Sequence, residues 1–143
     1  LLFTFREKRM AIQGSCLCTA VTFTVADNFD HFFICHCQHC QKDSGSAFAA
    51  NLFINADAVT WLTGKEHIRH FQLPSTRHAR SFCTTCGSAL PYIMTDSLTA
   101  VVPAGSLNSP PTKQPDAHIF TASQCLWESS LAGIRSFKQF PEE

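Results

Sequence analysis

The chain reads as an all-β domain of small packed sheets organised around metal-binding cysteines, and three observations carry that reading. Val21, Phe23 and Val25 alternate with Thr22 and Thr24, the two-residue period of a half-buried strand. Similar short runs recur along the chain with turn residues between them, as in packed-sheet domains. Seven of the eight cysteines fall into three tight groups, an order that thiols scattered through a core do not show.

Taken in order, strands are expected at 21–25, 31–35, 47–54, 59–62, 68–73, 79–83, 98–104 and 118–123. The punctuation between them includes Asp27-Asn28, Thr63-Gly64-Lys65, Pro74-Ser75 and Cys86-Gly87-Ser88, residue types that supply positive φ or preset a turn. No long helical stripe competes, and no unit repeats. The stretch 108–117, with Pro110, Pro111 and Pro115, reads as an extended surface loop within the domain. Residues 1–9 read as an N-terminal extension, because Arg6-Glu7-Lys8-Arg9 precedes a plausible start at Met10. Residues 10–143 then form a single zinc-binding domain, since the tail from Leu131 is too short for a second.

Composition narrows the class. With 45% hydrophobic and 15% charged residues among 143, the chain can bury a core and is not of disordered type. A formal net charge of zero argues against a nucleic-acid-coating surface or a nucleic-acid-binding zinc ribbon. No apolar run reaches membrane-spanning length. The apolar start Leu1–Phe5 is followed, not preceded, by basic residues, unlike a secretory leader. A disulfide framework fits poorly, because a Cys-x-Cys pair is awkward to bridge. Thiolates for metal in a reducing cytoplasm are the expectation.

The three groups divide into four ligands plus three. Cys83-Thr84-Thr85-Cys86-Gly87 has the form of a zinc knuckle, with the glycine allowing a positive-φ turn behind the thiols. Its partner pair is Cys16-Leu17-Cys18, whose sulfurs share one face of an extended strand. Cys16, Cys18, Cys83 and Cys86 therefore form an expected closed, structural zinc site. Cys35, Cys37 and Cys40 lie within six residues and are expected to aim at a second zinc. A position left open at three protein ligands is the mark of a catalytic zinc. His39 remains an alternative fourth ligand, whereas His36, between two ligands at a strand end, should point away. Without metal, three close thiols would resemble a redox centre. An open cationic centre of this kind suits an incoming thiol held as thiolate beside a carbonyl compound.

Gly14-Ser15-Cys16-Leu17-Cys18, then Cys35-His36-Cys37-x-x-Cys40-x-Lys42-x-Ser44-Gly45-Ser46-Ala47-Phe48, then Phe82-Cys83-x-x-Cys86-Gly87-Ser88-x-Leu90 together resemble the glutathione-dependent formaldehyde-activating enzyme family, which includes centromere protein V. The resemblance runs from about Ile12 to Phe120. It implies a β-tent fold of small antiparallel sheets, a structural zinc at Cys16, Cys18, Cys83 and Cys86, and a second zinc at the catalytic Cys35, Cys37 and Cys40. It also implies carbon–sulfur lyase chemistry on S-hydroxymethylglutathione, glutathione and formaldehyde. Three departures stand out. Thr19 replaces a usual glycine, Gln41 stands where arginine is common, and the end 134–140 echoes the family's Gly-Leu-Pro-x-Phe only loosely.

The expected function is thus a zinc-dependent carbon–sulfur lyase acting on glutathione or another thiol and a small aldehyde such as formaldehyde. The rival class is a non-catalytic, zinc-stabilised interaction module. Smaller expectations complete the reading. Ser44-Gly45-Ser46 makes an ordinary turn, Lys42 is a solvated cation, Phe48 and Phe53 belong to the core, His118 is an ordinary hydrogen-bonded histidine, and Cys125 is a buried structural thiol.

Overall fold

The computed structural model describes residues 11–95 and 97–141. The expected extension at 1–9 and the start at Met10 lie outside the described residues. The chain opens with the hairpin β1 (Ala11–Ser15) and β2 (Thr22–Ala26), and β5 (Val59–Thr63) pairs with the far side of β2. The alternation holds: Phe23 and Val25 are buried while the threonines between them are not. Gly14 lies opposite Phe23 in the hairpin. A Cβ at Gly14 would collide with the far end of the Phe23 ring, so the absent side chain makes room for it. Trp61 of β5 meets Phe23 edge-on at 5.6 Å.

The second sheet has five strands. It comprises β3 (His31–Cys35), β4 (Ala49–Asn55), β9 (Tyr92–Ile93), β10 (Thr99–Pro103) and β11 (Ala117–Ile119), in the order β11-β3-β4-β10-β9. β6 (Ile68–Gln72), β7 (Ala79–Cys83) and β8 (Ala89–Leu90) make the third sheet. The core lies between the layers, with Phe23, Leu52, Leu90 and Val102 fully buried, and it includes Cys16 and Cys83. The expected all-β architecture of small sheets is therefore present. One pairing is parallel, β11 beside β3, because the proline-rich loop carries the chain across to the opposite edge instead of turning it back.

Three local differences have physical causes. A short helix, α1 (Gln38–Ser44), follows β3; it ends at Gly45, in the left-handed region at φ 68°, whose N–H donates to the Gln41 carbonyl. At seven residues it is too short to show an apolar stripe. The expected strand at 118–123 stops at Ile119, because Phe120 turns to φ 56° and opens a 3-10 turn at Thr121–Ser123. β1, β8 and β9 carry too few apolar residues to register as alternating runs. Beyond Ser123 the described chain forms a 3-10 segment, Leu126–Gly133, with Leu126, Ile134 and Phe140 exposed. Among the described residues, no helix is long and apolar enough to cross a membrane.

Candidate metal centres

The loop from β1 to β2 and the turn from β7 to β8 meet at one end of the core. Cys16 N–H donates to the Val21 carbonyl, and Val21 N–H donates to Cys16 Sγ at 3.3 Å, folding Cys16 and Cys18 into a tight loop. Across from it, Gly87 N–H donates to the Cys83 carbonyl, with Gly87 at φ 76° as the knuckle requires. Ser88 joins the halves: its Oγ accepts from Leu17 N–H at 2.8 Å and lies 3.1 Å from Cys86 Sγ. The four sulfurs of Cys16, Cys18, Cys83 and Cys86 fall within 4.8 Å of one another. Cys16 and Cys18 are 3.6 Å apart and Cys18 and Cys83 3.8 Å. Zinc–sulfur bonds of about 2.3 Å in a regular tetrahedron place sulfurs about 3.8 Å apart, so this donor set fits one tetrahedral zinc.

The second group is built locally. β3 ends at Cys35, and Cys37 caps α1, its Sγ accepting from Cys40 N–H at 3.3 Å. That cap turns the chain so that the sulfurs of Cys35, Cys37 and Cys40 converge within 4.8 Å. No fourth Cys, His, Asp or Glu among the described residues joins them in that range. His36 is fully buried and packs against Phe48, with Nε2 2.8 Å from His118 Nδ1. It lies outside the sulfur cluster, as its strand-end position predicted. His39 is exposed and also lies outside the cluster, its ring 5.3 Å from that of His78.

Unequal surroundings shift these thiols in opposite directions, Cys37, Cys83 and Cys86 down and Cys18, Cys35 and Cys40 up. The Ser88 hydroxyl, followed by the Ser88 N–H, lowers Cys86 to about 5. Although the Ala20 N–H pulls Cys18 down, desolvation and neighbouring sulfurs push it up to about 11. Burial pushes Cys35 and Cys40 up. Close sulfurs cannot all be anionic alone, whereas a divalent cation lets every one ionise. Both groups therefore have the chemistry of metal ligands.

A pocket of about 640 Å³ opens beside the second group. Cys35, Cys37 and Cys40 line one side, and Phe53, His78 and Tyr92 line the others. Tyr92 is largely buried, which pushes its hydroxyl up to about 12. A smaller cavity of about 250 Å³ touches Cys40, Asp43, His78, Arg80 and Tyr92. Between the two, His78 Nε2 lies 2.9 Å from Asp43 Oδ2, and Arg80 Nε lies 3.3 Å from Asp43 Oδ1. Arg80 also donates to the Asp43 and Gly87 carbonyls, linking α1 to the knuckle of the first group.

The family model described as glutathione-dependent formaldehyde-activating enzyme matches residues 11–123, which span both cysteine groups and the pocket. The chain belongs to this family. A Halomonas elongata protein, provisionally named a glutathione-dependent formaldehyde-activating enzyme, is 37% identical over 90 residues, covering 57% of this chain and 55% of its own length. The chain thus spans about half the length of that curated relative. A crystal structure of a Rhodobacter sphaeroides protein superposes with a TM-score of 0.57 at 21% identity, covering 75% of this chain and 99% of the other; it shares the fold.

Against the formaldehyde-activating family pattern, Gln41 has a defined place. Its Nε2 donates to the His36 and Ser123 carbonyls at 2.8 and 2.9 Å, tying α1 to the 3-10 turn. The amide is spent on the fold, and the cation beside the pocket is instead the exposed Arg77. Thr19 adopts φ 64°, a conformation that suits the family's glycine. Ser44 makes an ordinary turn, donating to the Phe48 carbonyl and accepting from Ser46 N–H. Lys42 is exposed. Three expectations need correction. Phe48 is only half-buried and lines the smaller cavity, packed against the His36 ring and outside the core cluster. Phe53 lines the pocket, because β4 shows that face to it instead of to the core. Cys125 is only partly buried, since the chain after Ser123 runs over the surface. His78, Asp43, Tyr92 and Arg77 escaped the sequence reading. They belong to no motif, and the period of two could only have placed His78 and Arg80 on one face of a strand.

Proposed function

We propose that the protein is a zinc-dependent carbon–sulfur lyase. It interconverts the S-hydroxymethyl adduct of glutathione, or of another small thiol, with the free thiol and formaldehyde, in a reducing cytoplasm. The observation that carries the reading is the convergence of Cys35, Cys37 and Cys40 at the wall of a roomy pocket, with no fourth Cys, His, Asp or Glu in range among the described residues. Cys16, Cys18, Cys83 and Cys86 would hold a structural zinc, and Cys35, Cys37 and Cys40 a second one. When bound at the second set, zinc supplies Lewis acidity and a seat for a substrate thiolate. The chain's own residues do the rest. Phe53 and Tyr92 give the pocket aromatic walls, and the exposed Arg77 beside it offers a guanidinium that would pair with the carboxylate of a bound thiol.

The deciding experiment is exchange spectroscopy between glutathione and its hydroxymethyl adduct, read against the spontaneous rate. Acceleration by the parent protein and its loss in folded Cys40→Ser is the expected result. The exposed apolar residues Leu126, Trp127, Ile134 and Phe140 favour a second reading, a zinc-stabilised interaction module. Absence of any acceleration by the parent, with other thiols and aldehydes also inert, selects that reading.

A further inference from the structure

We infer that His78 is the proton-transfer residue of the pocket and that Asp43 is its positioning residue. The inference deepens the lyase reading and rests on it. An aspartate carboxylate accepts hydrogen bonds and does not donate them, so the 2.9 Å contact makes His78 Nε2 the donor to Asp43 Oδ2. The remaining nitrogen, Nδ1, then carries the lone pair. Nδ1 has no hydrogen-bond partner among the described residues and is not sealed from solvent. The carboxylate is itself held, with Arg80 Nε 3.3 Å from its other oxygen. The backbone of His78 is clamped as well: Thr76 Oγ1 accepts from its N–H, and Gln72 Nε2 and Leu73 N–H donate to its carbonyl. The ring is thus oriented by a carboxylate, as in an acid–base dyad. From α1, His39 lies 5.3 Å away ring to ring and Asp43 is in contact, and the same pocket is lined by Tyr92 and the three thiols.

The chemistry involves a proton transfer that a positioned base accelerates. To cleave R–S–CH2–OH, the hydroxyl proton must leave as the carbon–sulfur bond breaks. Nδ1 takes that proton, the O–H electron pair becomes the second carbon–oxygen bond, and the carbon–sulfur pair departs on sulfur. The products are formaldehyde, thiolate and imidazolium, and the imidazolium then returns its proton to water. In the synthetic direction the imidazolium delivers the proton to the oxygen as thiolate adds to the carbonyl. No motif of the three cysteine groups supplies this function, and His36 is engaged elsewhere with His118.

The test compares the metal-loaded parent, His78→Gln, His78→Ala and Asp43→Asn by exchange spectroscopy on glutathione and its hydroxymethyl adduct. Zinc content and melting temperature are checked for each. A loss of about 10²- to 10⁴-fold in kcat is expected for His78→Gln, the range for a positioned general base, with KM for the adduct little changed. Asp43→Asn should lose less, because the base remains while its tautomer and orientation are released. Added imidazole should restore part of the activity of His78→Ala, which a purely structural role would not allow. An active parent together with a fully active His78→Gln overturns the dyad and leaves the lyase reading standing, as does a loss confined to KM. An inactive parent removes the lyase reading and the dyad with it. Should the His78 variants fail to fold, Asp43→Asn decides: an unchanged kcat in that protein overturns the inference.

Discussion

Cys18 and Cys83 are 65 residues apart in the chain and 3.8 Å apart in space, whereas Cys35, Cys37 and Cys40 are neighbours along a strand end and the first turn of a helix. The four-cysteine group joins the β1–β2 loop to the β7–β8 turn, and two of its thiols belong to the hydrophobic core. The three-cysteine group faces a pocket. The same donor chemistry is therefore assembled in two ways. One set is recruited from distant segments and joins two loops at the core, and the other is supplied by one short segment at the wall of a pocket. Arg80 bridges the segments that follow them, donating to the carbonyls of Asp43 and Gly87.

The largest expected effect breaks the four-cysteine group. Cys83→Ser removes a fully buried donor from a four-ligand site. Structural zinc contributes about 10–16 kcal/mol in small zinc domains, against a net stability of about 5–15 kcal/mol for most domains. The variant should fail to fold, and a cooperative melting transition near the parent's would show that this group is not architectural. A chelator draws the same distinction without mutation. About half of the zinc should leave first, from the three-cysteine group, because fewer protein donors hold it, while the circular dichroism stays native. Simultaneous loss of all metal with unfolding would erase the difference between the two sites.

The smallest effect sharpens the four-cysteine group. Thr19, next to Cys18, holds φ 64°, which costs a non-glycine residue about 1–2 kcal/mol. Thr19→Gly relieves that strain at the expense of a more flexible unfolded chain. The net gain should be about 1 kcal/mol, an upward shift of about 2–4 °C in melting temperature. A lower melting temperature would mean that the threonine side chain supports the loop.

Legibility in the sequence followed the range of the interactions. The strand Thr22–Ala26 is readable because the alternation of Val21, Phe23 and Val25 with threonines is a local property of that run. The helix Gln38–Ser44 is not, since its cap is a cysteine sulfur and its stop is a single glycine. The division of seven cysteines into four and three could be read from spacing alone, because short-range geometry limits which thiols can share one ion. Gln41 shows the converse. Its departure from the family pattern was visible, but its bonds to His36 and Ser123 depend on where the 3-10 turn packs.

What the sequence determined by itself was therefore the set of parts: strands by their period, knuckle by its Cys-x-x-Cys-Gly spacing, and two donor groups by their arithmetic. What only the tertiary structure decided was what faces them. Asp43 and His78 are 35 residues apart, and neither carries a pattern of its own. They meet because the end of α1 reaches the start of β7, where Arg80 donates to the Asp43 carbonyl and pairs with its carboxylate. Core packing is non-directional and additive over the whole chain, so no local window of sequence can reveal which polar side chains it will bring together.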